Sequence, residues 1–197
     1  MVNPSKSRKL YADGRAAELS QYYIDHFREN AVDELTESLP SKGGYALIDA
    51  GFDPEIPQFL QRKFEGLKMQ SLYAGKYTAE GIDAWAPYLV ELPSLGEIRR
   101  TLLADLIQRA NAKPMLSFLA GEGATSPMDH LQRQMEAQDE EGKVFVIRLA
   151  DTRALHSIFS TFDVAQRTRL LSGGATVVVL PTRRDLALSA RRGSGFR

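Results

Sequence analysis

Apolar residues recur along this chain at helical and strand spacings in alternation. From Arg15 to Glu37, Leu19, Tyr23, Phe27 and Ala31 stand four apart, with Tyr22, Ile24 and Leu35 widening the stripe, which predicts a helix with one buried face. The breakers Ser38-Leu39-Pro40-Ser41-Lys42-Gly43-Gly44 stop it. They divide the chain into an N-terminal helical segment and linker (1–44), a main body (45–180) and a flexible tail (181–197), frayed at Arg191 to Arg197.

In the body, Tyr45 to Ile48 reads as a short buried strand closing at Asp49-Ala50-Gly51, and Pro54 and Pro57 open a helix carrying Ile56, Phe59, Leu60 and Phe64. The apolar stretch Ser71-Leu72-Tyr73 follows, then Pro87 to Leu92 as a strand stopped by Pro93. Ser94 and Glu97 have capping-box spacing ahead of a helix bearing Ile98, Leu102 and Leu106. Met115 to Leu119 is the next strand, and Ser126-Pro127 caps a helix with Met128, Leu131 and Met135 on one face, ended by the polar run Gln138 to Gly142. Val144 to Leu149 is nearly continuously apolar, as expected of a strand buried on both faces at the centre of the core. Asp151 then caps a helix presenting Leu155, Ile158 and Phe159, and Ala175 to Leu180 adds a last strand. The expected fold is α/β: a mixed sheet of short strands alternating with helices, preceded by an N-terminal helix.

Composition narrows the function classes. Lys+Arg 25 balance Asp+Glu 25, so no net basic field draws in nucleic acid or an anionic membrane. Cysteine is absent, which removes thiol chemistry, thiolate metal sites and disulfides, and fits a reducing compartment such as the cytoplasm. Met1 to Leu10 is polar and basic with no apolar run behind it, so no signal peptide is expected; Ala175 to Leu180 is too short to span a bilayer.

The residues that bear chemistry are sparse. His26, His130 and His156 fall on three separate helices without partners at metal-ligand spacing, and helix packing or surface exposure accounts for them. Asp49 and Asp53 flank a loop at a strand end, where carboxylates hold a ligand or cation in some open sheets and cap turns in most. Gly121-Glu122-Gly123-Ala124-Thr125-Ser126 has the strand-to-helix context of a phosphate-binding turn, yet lacks the third glycine of a dinucleotide fingerprint and the lysine of a P-loop. Asp139-Glu140-Glu141 reads as a solvated helix stop. Neither a Gly-x-Ser-x-Gly elbow nor a His-Glu-x-x-His pair occurs. Tyr45, Phe52, Tyr73, Tyr77, Trp85 and Tyr88 crowd the first half around loops; aromatics are core residues most often, and protein-contact residues where exposed.

The order of several short motifs resembles a known family. Tyr45-Ala46-Leu47-Ile48-Asp49-Ala50, then Ser71-Leu72-Tyr73-Ala74-Gly75, then Ala86 to Leu92 are similar to the opening of the type VI secretion adaptors, the effector-loading chaperones long catalogued as a domain of unknown function. Leu116 to Leu119, the helix ending near Leu131-Gln132-Arg133, and Val146 to Leu155 follow in the family's order, so the resemblance runs from about Tyr45 to about Leu171. Where members often show an aromatic followed by Asp-Pro-Arg, this chain has Leu149-Ala150 and then Asp151-Thr152-Arg153, a looser turn.

The resemblance implies a non-enzymatic adaptor in the bacterial cytoplasm that binds a toxin effector and delivers it to the VgrG spike, needing no metal or cofactor. It marks Asp49, Tyr73, Tyr88, Asp151 and Arg153 as family-signature or partner-binding positions; for Asp151 and Arg153, fixing the turn before a helix is an equally good account. The rival class is a ligand- or nucleotide-binding or enzymatic α/β domain using the strand ends near Asp49, Gly121 and Asp151. A toxin or immunity component of the same system is the third reading.

Overall fold

The computed structural model describes residues 31–42, 44–110, 113–121, 127–163, 165–166 and 175–179. Helix α1 (Ala31–Ser38) leads into strand β1 (Gly44–Asp49), a 3-10 turn (Ala50–Phe52), α2 (Ile56–Lys63) and β2 (Met69–Ser71). A second 3-10 turn (Ile82–Trp85) precedes β3 (Pro87–Glu91), α3 (Glu97–Ala110), β4 (Leu116–Gly121) and α4 (Pro127–Gln134). The hairpin strands β5 (Glu136–Gln138) and β6 (Val144–Val146), α5 (Thr152–Thr161) and β7 (Ala175–Val179) complete the series.

The fold is α/β as the alternation requires. The main sheet has the order β2-β3-β1-β4-β7, which places β1 in the middle. Each of its ladders is antiparallel, where the sequence reading expected a mixed sheet. Apolar runs such as those of β1, β3 and β4 report burial and carry no information about strand direction.

Two cores result, one on each face of the sheet. Ala46, Ile48, Val90, Leu92, Leu116 and Phe118 pack against Leu35 of α1, Ile56 and Leu60 of α2, and Leu102, Leu103 and Leu106 of α3. Leu47, Leu89 and Leu119 point the other way, onto Met128 and Leu131 of α4, Met135, Leu149 and Leu155 of α5. Each fully buried Leu or Ile contributes about 1.5–3 kcal/mol by leaving water.

The stretch between α1 and β1 is held by one arginine. Arg99 of α3 is fully buried and donates to the carbonyls of Leu39 at 3.2 Å, Pro40 at 2.9 Å and Pro93 at 3.4 Å. A cation there complements the negative end of α1 and takes up the carbonyls just past it, with that of Pro93. Burial pushes its guanidinium pKa down from the ordinary value.

Four local expectations are corrected. Val144 to Leu149 is no central strand: only Val144–Val146 is extended, all three residues are exposed, and they pair with β5 in a separate ribbon. The run Gln138 to Gly142 ends no helix, because α4 has already stopped at Gln134, and Asp139-Glu140-Glu141 is the tip of the hairpin. Helix α3 starts one residue after Gly96, whose carbonyl accepts from the Arg100 amide at 3.2 Å, so the glycine takes the position expected of a Ser94 cap. Ile98 is 65 % exposed while Leu102, Leu103 and Leu106 are buried.

The predicted helix from Arg15 is observed over Ala31–Ser38, and its earlier part lies outside the described residues. Outside them too are His26, most of the glycine-bearing loop (122–126), Leu180 and the tail (181–197). No helix among the described residues is long and apolar enough to cross a membrane.

Candidate functional site

Asp49 is the last residue of β1, where the central strand runs out of the sheet. Its main-chain amide donates to the Met115 carbonyl, and its Oδ1 accepts from the Gly51 amide at 3.0 Å, which caps the 3-10 turn. Both carboxylate oxygens are then taken by Arg148: Nη2 lies 2.8 Å from Oδ1 and 2.8 Å from Oδ2, and Nε lies 3.1 Å from Oδ2. The carboxylate is buried and the guanidinium is 44 % exposed. Hydrogen bonding to Asp49 raises the Arg148 pKa from its ordinary value against the opposing effect of burial.

Gly51 makes room for this contact. A Cβ there would stand 2.6 Å from Arg148 Nη2, so that the guanidinium would have to shift, and a tight 3.0 Å from Asp49 Oδ1.

Two guanidinium groups lie over the ring of Phe52, with Arg148 Cζ 5.1 Å and Arg153 Cζ 5.2 Å from its centroid. Such cation–aromatic contacts contribute about 0.5–1 kcal/mol each at exposed sites. Asp151 caps α5 as expected, accepting the Arg153 amide at 3.0 Å, and it also pairs with the same residue's side chain, Nη2 to Oδ2 at 2.8 Å and Nε to Oδ1 at 3.1 Å. Burial works to raise the Asp151 pKa, but the hydrogen bonds from Arg153 and from main-chain amides outweigh it and hold the carboxyl below its ordinary value.

Phe52 and Arg148 therefore bring Asp49, Asp151 and Arg153 into one place. Tyr73 borders it: burial raises its phenol pKa, the Asp49 charge adds to that, and the Arg148 charge opposes it. Its ring meets Tyr77 edge-on with centroids 4.9 Å apart. Tyr88 does not join them. It stands opposite Ile48 on the other face of the sheet and packs against the α1–α3 core. Its hydroxyl donates to the Asp83 carbonyl at 3.1 Å, which braces the turn that carries Trp85.

Trp85 completes the patch. It is 62 % exposed and lies over Gly51, its Cε3 3.6 Å from where a Cβ would be. Of the six aromatics singled out by position, the other five are partly buried. The second carboxylate of the loop, Asp53, is bound instead to Arg109 at 2.8 Å, whose guanidinium lies 3.8 Å from the Phe59 ring centroid.

Sequence reasoning missed Arg148, which is the hub. The signal was present: a lone cation inside Val144-Phe145-Val146-Ile147-Arg148-Leu149 is incompatible with a strand buried on both faces unless a carboxylate meets it. Among the described residues no three His, Asp or Glu side chains converge to hold a metal ion. His130 is buried in α4, and His156 lies on α5.

Chemically, the patch presents one large exposed indole and two half-exposed guanidinium planes over a rigid carboxylate-braced base. A carboxyl held below its ordinary pKa by Arg153 is a weak proton acceptor near neutrality. Trp and Arg are the side chains that most often dominate protein–protein binding energy.

No curated protein and no solved structure matches the chain. The family model described as Domain of unknown function (DUF4123) matches residues 44–169, more than half of the chain and the same stretch over which its motifs follow in order, and the chain belongs to that family.

Proposed function

We propose that this protein is a non-enzymatic adaptor of type VI secretion, which holds a toxin effector in the bacterial cytoplasm and presents it to the VgrG spike. The observation that carries this reading is the exposed Trp85 beside the Arg148–Phe52–Arg153 stack. The motif order that resembles the adaptors supplies the identity of the partners, and the match to a family without assigned function is compatible with it.

An adaptor must bind firmly and then let go, which asks for a compact patch on a stiff base. Asp49 and Asp151 stiffen that base by fixing Arg148 and Arg153, leaving Trp85 to make the contact.

Co-purification with a toxin encoded beside the gene, and then with the spike protein, is the test. Retention of both at micromolar concentration is expected, and Trp85→Ala should weaken one of them about tenfold or more while stability changes by no more than about 0.5 kcal/mol. Failure of the full-length chain to retain either protein would defeat the reading.

A further inference from the structure

The β5–β6 hairpin is the least covered part of the described molecule. All of its strand residues are exposed, and Val144, Phe145 and Val146 are 58 %, 45 % and 45 % exposed. A lone two-stranded ribbon is marginally stable in water, and a bare apolar strand edge is a template for another chain.

Its ladder has a defined phase. The Ile147 amide donates to the Met135 carbonyl at 2.6 Å and the Asp139 amide to the Lys143 carbonyl at 3.1 Å. With Glu136 opposite Val146, Ala137 opposite Phe145 and Gln138 opposite Val144, bonded and non-bonded pairs alternate between those two ends. The main-chain groups of Phe145 consequently face β5, and those of Val144 and Val146 face outward. Strand β5 is fastened to the body through Glu136, which accepts from the Tyr77 hydroxyl at 2.8 Å and lies 3.5 Å from Lys76 Nζ. Among the described residues no strand pairs with the outer edge of β6, the strand with the apolar side chains.

The ends of this edge differ in charge. At the tip, Asp139, Glu140 and Glu141 are exposed, in a turn shaped by Asp139 Oδ1, which accepts from the Glu141 and Lys143 amides, and by Gly142 at φ 83°. The ribbon's own lysine, Lys143, lies 5.0 Å over the Phe145 ring. Strand β6 runs away from the tip, so a strand pairing antiparallel with it runs toward the tip and brings its C-terminal end to the acids.

We propose that β6 is a docking edge for an extended apolar strand of a partner protein whose C-terminal end carries Lys or Arg. The proposal rests on the partner-holding reading above and gives it a second surface, built from main-chain groups and valines instead of Trp85 and arginines. Affinity comes from ladder bonds at Val144 and Val146, and orientation from the acidic tip.

The experiment titrates the isotope-labelled full chain with a short synthetic peptide of alternating valine and threonine ending in two lysines, read by amide chemical shifts. The Val144 and Val146 amides should shift and the Phe145 amide much less. Val144→Pro removes an outward donor while sparing the hairpin's own bonds, and should weaken binding about tenfold. Glu140→Lys with Glu141→Lys should weaken it about fivefold and favour a peptide ending in two glutamates.

Unchanged binding in both variants, or shifts confined to other parts of the chain, overturns the proposal. So does a concentration-dependent dimer that Val144→Pro abolishes, which would make a second copy the occupant. Peptide binding at this edge without retention of effector or spike leaves the edge standing and removes the adaptor reading; retention of both by the wild-type chain, with no peptide bound to it, does the reverse.

Discussion

The carboxylate of Asp49 and the guanidinium of Arg148 lie 99 residues apart in the chain and meet through three hydrogen bonds of 2.8–3.1 Å. The contact ties the end of the central strand to the segment between the hairpin and α5. Its two partners are unequally buried, and that asymmetry decides what each substitution costs. Removing Arg148 strands a buried carboxylate with the Gly51 amide as its remaining donor, whereas neutralising Asp49 leaves a half-exposed guanidinium that water can solvate. Arg148→Ala should therefore destabilise by about 2–3 kcal/mol and Asp49→Asn by about 1 kcal/mol, measured from the midpoint of urea unfolding. Equal costs would mean that the pair acts as an ordinary surface ion pair.

Arg99 offers a second test, of how the N-terminal helix is attached. Its three carbonyl partners come from Leu39, Pro40 and Pro93, and a methionine of similar length would fill the space without donating. Arg99→Met should cost about 3 kcal/mol and increase proteolytic cutting around residues 39–42 before the body unfolds. Arg99→Lys keeps the charge but not the planar fork, and should fall between the two. Wild-type resistance in Arg99→Met would show that α1 is held by its apolar face, Leu35 and Leu39, and not by the arginine.

Tyr77 predicts an alkaline limit for the hairpin. Burial pushes its phenol up from 10.0 to about 12, and the hydrogen bond to Glu136 adds to the rise. Because the folded pKa lies above the unfolded one, the fold favours the neutral phenol. The resulting stability is fully present below pH 10 and is lost as pH rises toward about 12. Absorbance titration of the native protein should show one tyrosine ionising last, absent in Tyr77→Phe. Amide exchange in β5 and β6 should quicken over the same range, since tyrosinate would then face the Glu136 carboxylate. Tyr77 ionising together with exposed tyrosines would contradict this.

What was legible in the sequence, and what was not, divides along one physical line. The buried faces of β1, β3 and β4 and the Leu102–Leu106 stripe announced themselves, because two-sided burial writes apolar runs that survive any topology. Asp151 as a helix cap was equally readable, being a contact between near neighbours. Pairing direction was not, nor was the exposure of Val144, Phe145 and Val146, since an apolar triplet is spelled the same in a core as on an open edge. The site divides likewise. The resemblance marks Asp49, Asp151, Arg153 and Tyr73, which gather there, and Phe52 stands among the aromatics of the first half, while Arg148, which joins them, acts across the fold. Tyr88 is marked by the same resemblance and lies on the opposite face.

Gly51 gives the sharpest check that the Asp49–Arg148 contact organises the patch. Its importance lies in space: the absent Cβ is where Arg148 Nη2 approaches, and a methyl group 2.6 Å away forces that flexible end to move. The turn itself should survive, because Asp49 still caps it and alanine accepts a 3-10 conformation. Gly51→Ala should thus cost less than Arg148→Ala, about 1–2 kcal/mol. The double variant should be only marginally worse than Arg148→Ala alone, for the second change removes a group the first has already displaced. The same cycle can be read on Trp85, whose Cε3 would lie 3.6 Å from the new methyl: its fluorescence should change in Gly51→Ala and stay changed when Arg148 is also removed. Full additivity of the two stability costs would mean that glycine is there for its backbone, and that the close approach of the arginine is incidental.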